Sequence, residues 1–293
     1  MDPVTVAQKL AFGLFVGSNY AVVAAGLGLI FGVMRVLNVA HGELVMLGGY
    51  ASYLAFWLLD MDPYLNVVLS AVVLFCLGLL LNTVLFRFVE RLAEEQRIRN
   101  SLLVSFGLAL VVQNAALFAF SADERSVRAA STSGALVLAG VVLPYGRLAT
   151  FGISLLVLGG VYVLLQRTLF GMSVRATASD WEAAALAGID VRRVYLLTVA
   201  LGAALAGVAG ALVLVTFSIS PSIGLAWTLK ALVIVVLAGL GSMHGALLAG
   251  LLLGLAESLS TLWIGAEYQQ VVGLLVLLGI LLLRPRGLFG ARL

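Results

Sequence analysis

The chain carries little charge. Only 11% of its 293 residues are Asp, Glu, Lys or Arg, 62% are hydrophobic, and the mean hydropathy is +1.15. Soluble domains carry about 25% charged residues, so no soluble core could hide this much apolar surface, and lipid is the expected solvent. There is one cysteine, Cys76, which excludes a disulfide framework or a cysteine-based metal site within the chain. Lying inside an apolar run, it is expected to be a small buried hydrophobe. The two histidines, His41 and His244, are far apart in sequence; no metal centre or Cys–His nucleophile is expected. No Gly-x-x-x-x-Gly-Lys-Ser/Thr run occurs, so the chain has no phosphate-cradling loop of that type. Its net charge of +3 is no sign of nucleic-acid binding, because the basic residues follow a membrane pattern.

A chain in lipid must satisfy its backbone internally, as helices or as a closed barrel. The apolar runs here are continuous, without the alternation of barrel strands, which predicts an all-α, polytopic helical membrane protein. Nine segments are read: about Leu10–Val33, Leu44–Leu59, Leu65–Phe86, Leu102–Phe120, Leu148–Leu165, Val194–Phe217, Thr228–Leu240, Ala246–Leu262 and Val271–Leu283. A count of 8 to 10 fits the same pattern. The N-terminus, Met1-Asp2-Pro3-Val4, lacks a basic n-region and is expected to be retained.

Arginines orient the bundle. Arg35, then Arg87, Arg91, Arg97 and Arg99, then Arg167, Arg175, Arg192 and Arg193, then Arg284, Arg286 and Arg292 mark the cytoplasmic side by the positive-inside rule. Nine crossings then put the N-terminus outside and the C-terminus inside. In the outer loop, Ala135 to Pro144 has valines around a central glycine, which suggests a short β-hairpin, with a re-entrant segment as the alternative. Gly13/Gly17, Gly28/Gly32 and Gly250/Gly254, with Gly202, Ala206 and Gly210, have the small-residue spacing that lets helices approach closely in lipid.

A polar insert interrupts the apolar pattern at Gly171 to Asp190. Ser179-Asp180-Trp181-Glu182 fits a capping box, with Ser179 and Glu182 exchanging hydrogen bonds. Asp180 and Glu182 suit the positive end of a helix dipole. Ala183-Ala184-Ala185-Leu186-Ala187 are helix formers, and Gly188 is a natural left-handed terminator with Ile189 beyond it. So short a helix is marginal in water. It rests either on its own bundle or in the groove of a cytoplasmic partner.

Polar residues at membrane depth are candidates for a pathway or gate. Asn38, His41 and Glu43 cluster at a break near the cytoplasmic side, where capping and a first-turn carboxylate are the simpler reading. Gln113 and Asn114 sit mid-span, suited to interhelical hydrogen bonds. Lys230 starts an apolar helix and is expected to snorkel outward, with Glu257 a possible ion-pair partner. His41-Gly42 and His244-Gly245 hint at an internal repeat.

Glu182-Ala183-Ala184-Ala185-Leu186-Ala187-Gly188 resembles the EAA-x-x-x-G motif of ABC-importer membrane subunits. Gly28 to Glu43, Gly239 to Gly245 and Arg284 to Gly290 resemble the branched-chain amino acid permease family, its LivH-like branch. The similarity covers nearly the whole chain in the family's order, and departs from it at His244, where the family often has Pro. The resemblance implies one transmembrane permease domain over residues 1–293, with a cytoplasmic coupling loop at about 167–193. The resemblance implies that this loop docks into an ATPase subunit through Ser179, Asp180, Glu182, Ala183, Ala184 and Gly188. It implies a bacterial-type inner membrane, a second related permease, two cytoplasmic ATPases carrying ATP and Mg, and an external solute-binding protein, with no cofactor on this chain. The implied cargo is Leu, Ile or Val, or else urea, amides or other small organic solutes. A stand-alone secondary transporter or channel would find only Glu43, Glu257 and His41 as coupling groups, and no use for the insert.

Overall fold

The structure, a computed structural model, describes residues 2–90, 92, 94–127, 129–239, 241–284 and 287–288. Helices dominate. In chain order they are α1 (Pro3–Met34), α2 (His41–Leu59), α3 (Leu65–Leu81), α4 (Arg87–Val89), α5 (Glu94–Phe120), α6 (Tyr145–Arg167), α7 (Leu169–Ser179), α8 (Trp181–Leu186), α9 (Val191–Thr216), α10 (Ile223–Ala238), α11 (Met243–Ser260) and α12 (Gln269–Leu283). A widened π turn, Asn82–Phe86, joins α3 to α4 as one apolar span. Among the described residues six helical spans are long and apolar enough to cross a membrane, and α10, α11 and α12 are shorter apolar helices. The protein is therefore a multi-pass helical membrane protein.

Small residues set the packing. Gly13 and Gly17 of α1 meet Gly250 and Gly254 of α11, so two of the stripes visible in the sequence are one interface. A Cβ on Gly17 would lie 2.8 Å from Gly250 O, and one on Gly254 would lie 2.5 Å from Gly13 O. Gly32 faces Gly241, and Gly202 of α9 packs against Gly26 O and the Ile30 side chain of α1. Such contacts exclude any larger residue and replace the lipid with backbone dispersion contacts. α1 and α9 are consequently the most enclosed spans, and α5 is the most exposed.

Two strands, β1 (Ala135–Leu138) and β2 (Val141–Pro144), pair antiparallel with Ala135 opposite Pro144. Their turn, Ala139-Gly140, has positive φ at both residues (50° and 85°), the hairpin geometry that matches strand twist. The Gln8 amide exchanges two hydrogen bonds with Val142, at 2.6 and 2.8 Å, tying β2 to the start of α1.

Several expectations are corrected. α1 begins at Pro3, seven residues before Leu10, because Asp2 caps it and Pro3 opens it. Cys76 is exposed on α3; its helix turns this face away from the bundle, so the apolar run says nothing about which side it faces. The insert is not one helix but two. The His244 side chain lies outside the described residues.

Candidate functional sites: an exposed capped helix and a buried helix break

The insert is built from caps. Thr168 opens α7 by accepting from Gly171 N at 3.1 Å. At the other end Ser179 is the last residue of α7, so it does not cap α8. Asp180 does, with extended backbone (φ −154°) and a carboxylate accepting from Glu182 N at 2.9 Å and Ala183 N at 3.0 Å. A carboxylate suits the positive helix end better than a hydroxyl, and Ser179 is already spent on α7. The predicted Ser179–Glu182 capping box is absent for that reason. The C-terminal reading matches the structure: Gly188 has φ +87°, Gly188 N donates to Ala185 O, and Ile189 N donates to Ala184 O, both at 3.0 Å. This pair of bonds is the Schellman end. Asp190 then caps α9 through Arg193 N at 3.1 Å.

α8 hardly packs on its own bundle. Of its residues only Ala184 is buried; Trp181, Glu182, Ala183 and Ala185 are exposed, and Leu186 is 91% exposed. Ile189 is half-buried against the core. The result is a rigidly capped helix seated on Ala184, with the Trp181 ring beside the Arg97 guanidinium and an apolar tip presented outward.

The second site is the break after α1. Arg35 ends α1 in the left-handed region (φ 54°), and the chain turns back unwound through residues 36–40. His41 Nε2 then lies 3.0 Å from Val23 O, eleven residues before the end of α1. At 1.5 Å per residue that is about 16 Å back along the helix. The break thus reaches back inside the bundle rather than staying at the end of α1. Backbone at that depth must find partners. Leu37 N donates to Ser101 Oγ at 3.1 Å, and Val39 N to Ser105 Oγ at 3.0 Å, the two serines standing one turn apart on α5. Thr228 Oγ1 of α10 donates to Val39 O and accepts from Gly42 N, both at 2.9 Å. Ser101, Ser105 and Thr228 were not singled out by the sequence; serines at i and i+4 at the edge of an apolar run are the signal. Replacing Ser101 and Ser105 together by Ala strands two backbone donors, at about 1–3 kcal/mol each. The double variant should lose thermal stability in detergent, and an unchanged Tm contradicts this account.

At the break the N-termini of α2 and α10 meet, and neither has a side-chain cap from its own preceding residue. Gly42 lies so close that a Cβ would overlap Gly224 O, and a Cβ on Gly224 would overlap the Glu43 carboxyl. Glu43 is in the first turn of α2, as expected. Asn38 Oδ1 accepts from Ala40 N at 3.1 Å, whereas His41 is buried between α1 and α9 rather than capping. Among the described residues Asn38 Nδ2, His41 Nδ1 and Glu43 Oε2 are buried with no hydrogen-bond partner.

The remaining candidates separate. Lys230 does not snorkel outward. Its Nζ pairs with Glu257, whose other oxygen accepts from Tyr20 Oη at 2.9 Å, and Nζ lies 5.3 Å from the Tyr20 ring centroid. Glu257 is 3% exposed and the Lys230 side chain 16%. Tyr20, unnoticed in sequence, thereby joins α1 to α10 and α11. Removing one charge of a buried pair costs about 3–5 kcal/mol, whereas replacing both with apolar residues is often neutral. Lys230→Met or Glu257→Met alone should therefore lower Tm sharply and the double variant should restore it; additive losses would count against the pair. Among the described residues no interhelical hydrogen bond is made by Gln113 or Asn114. Asn114 is exposed on α5 and its amide donates to Leu110 O of the same helix at 2.8 Å.

The chain matches the family described as branched-chain amino acid transport system / permease component over residues 9–281. It is 33% identical to the high-affinity branched-chain amino acid transport system permease protein BraD of Pseudomonas aeruginosa, over 97% of this chain and 95% of that protein. It is 30% identical to the corresponding LivH protein of Salmonella typhimurium, with the same coverage of both chains. A probable LivH permease of Methanocaldococcus jannaschii is 29% identical over 95% of this chain and 91% of that protein. No solved structure matches the chain. With the family matched along nearly its whole length, the chain belongs to the permease components of branched-chain amino acid transport systems.

Proposed function

We propose that this chain is the membrane permease subunit of an ATP-driven ABC importer for Leu, Ile and Val. Relatives named for that transport over nearly full length support the substrate class. The observation that carries the mechanism is α8: capped at both ends, buried only at Ala184, and exposed at Glu182, Ala183 and Leu186. A helix held this stiffly and packed this little is suited to receive force. It docks into a cytoplasmic ATPase, and α7, joined to it by Asp180 alone, and α9, joined to it by residues 187–190, carry the motion into the bundle. ATP and Mg are bound by two partner ATPases. A second, related permease completes the pathway, and an external binding protein delivers the substrate. The six long spans with α10, α11 and α12 make nine crossings of a bacterial-type inner membrane in one domain, N-terminus outside and C-terminus cytoplasmic. The arginine distribution supports that orientation. Asn38 and Glu43 beside the meeting starts of α2 and α10, and His41 between α1 and α9, give the bundle polar groups able to meet a zwitterion inside lipid.

Affinity purification of the tagged chain from its own membranes tests the reading. An ATPase and a second permease should co-purify in fixed ratio; a chain that purifies alone, in mild detergent, contradicts it.

A further inference from the structure

Beside α8 lies a cavity of about 260 Å³, bounded by α4, α5, α8 and α9. Among the described residues Arg87, Arg97 and Arg192 line it together with one acid, Glu90. Arg97 is 7% exposed; its Nε donates to Leu92 O at 2.8 Å, and its guanidinium stands 5.3 Å from the Trp181 ring centroid. Arg87 Nε and Glu90 Oε1 are both buried, with no hydrogen-bond partner among the described residues. The cavity thus offers one idle cationic donor and one idle acidic acceptor. Burial pushes the Glu90 carboxyl above its ordinary range, while an Asn82 hydrogen bond and the three arginines pull it back. Trp181, Ala185 and Val191 supply apolar wall.

A simple anion would meet the arginines but also the acid. A simple cation would meet the acid but also three guanidinium groups. A zwitterion uses both, and the apolar wall has room for an aliphatic side chain. We propose that this cavity binds a free aliphatic α-amino acid, its carboxylate on the arginines and its ammonium on Glu90, as a product site that restrains α8 and slows further import. Trp181 and Ala185 belong to α8, so an occupant touches the helix directly, and its binding energy opposes any movement that opens the cavity. The inference rests on the orientation and substrate class proposed above.

The test uses the complete complex in proteoliposomes, with binding protein and labelled leucine outside and ATP inside. Unlabelled leucine is loaded inside at rising concentration. Initial uptake should fall by about five-fold or more, the lower range of measured couplings between sites. Isovalerate, isoamylamine and inorganic phosphate at the same concentrations should have no such effect. Glu90→Gln and, independently, Arg192→Gln should import normally into empty vesicles and lose the inhibition. The proposal is overturned by insensitivity of the unaltered complex to internal leucine, by equal inhibition with isovalerate or phosphate, or by inhibition that survives both substitutions. Uptake into empty vesicles reports on the transport reading separately. If that uptake is absent, calorimetric titration of leucine into the purified complex, with and without Glu90→Gln, still decides the cavity.

Discussion

Gly188→Pro and Glu182→Lys should each reduce ATP-dependent uptake to background while leaving the permease folded in the membrane. Proline fixes φ near −65° and lacks an N–H, whereas Gly188 has φ +87° and donates to Ala185 O at 3.0 Å. The Schellman end of α8 is therefore lost and the helix frays. Glu182 is exposed in the first turn. Reversing its charge costs only about 0.3–1 kcal/mol through the helix dipole, but it inverts the charge on the face that the proposed coupling role presents to the ATPase. Since Ala184 is the one buried residue of α8, neither change reaches the core. Uptake by reconstituted complexes and thermal unfolding of the same samples are the two readouts. Normal uptake in either variant removes the coupling role from α8. A parallel loss of Tm would show that α8 serves the fold instead.

Gly42→Ala has the largest expected effect on stability. An added Cβ overlaps Gly224 O and crowds Thr228, at 2.5 Å from Oγ1 and 2.6 Å from N. The obstacles are mostly backbone, which cannot rotate away, and the Gly42–Thr228 hydrogen bond is lost in any relaxation. Overpacking of this kind costs about 1–3 kcal/mol, and the lost bond at a buried donor adds about 1–3 kcal/mol. Gly224→Ala, which meets the far end of the Glu43 side chain, should cost less, because that carboxyl can rotate away. Gly107 and Gly279 provide the contrast, with nothing within 4 Å of an added Cβ. Alanine there should be neutral or stabilising by up to about 1 kcal/mol through helix propensity. Thermal unfolding of the four variants in one detergent ranks them. If Gly42→Ala is tolerated as well as Gly279→Ala, the two helix starts do not meet as described.

Local chemistry was legible in the sequence; depth and facing were not. Gly188 needs only its neighbours to end a helix, and its left-handed conformation follows from residues 183–189 alone. Ser179 and Asp180 compete for one cap within the same few residues, and the contest is settled by where α7 stops, which depends on Thr168 and the docking of α7. The Arg35–Glu43 break was visible as polarity. Its return toward Val23 was not, because the serines that hold it come from α5, more than sixty residues later. Cys76 shows the same limit from the other side. In lipid an apolar helix is apolar all round, so periodicity no longer tells core from exterior. The spacing of the Gly13/Gly17 and Gly250/Gly254 stripes announces close helix packing; that they face each other is a fact of topology. Lys230 and Glu257 could be suspected as partners because two lone charges in apolar helices need one another, yet Tyr20 carries no such mark.

Accumulation of labelled leucine in proteoliposomes containing this chain, its co-purified partners and their binding protein tests the central claim most directly. Uptake against a gradient that requires both internal ATP and external binding protein, and that stops with Gly188→Pro, is the predicted result. Leucine movement that continues without ATP, or that needs only this chain, would contradict it.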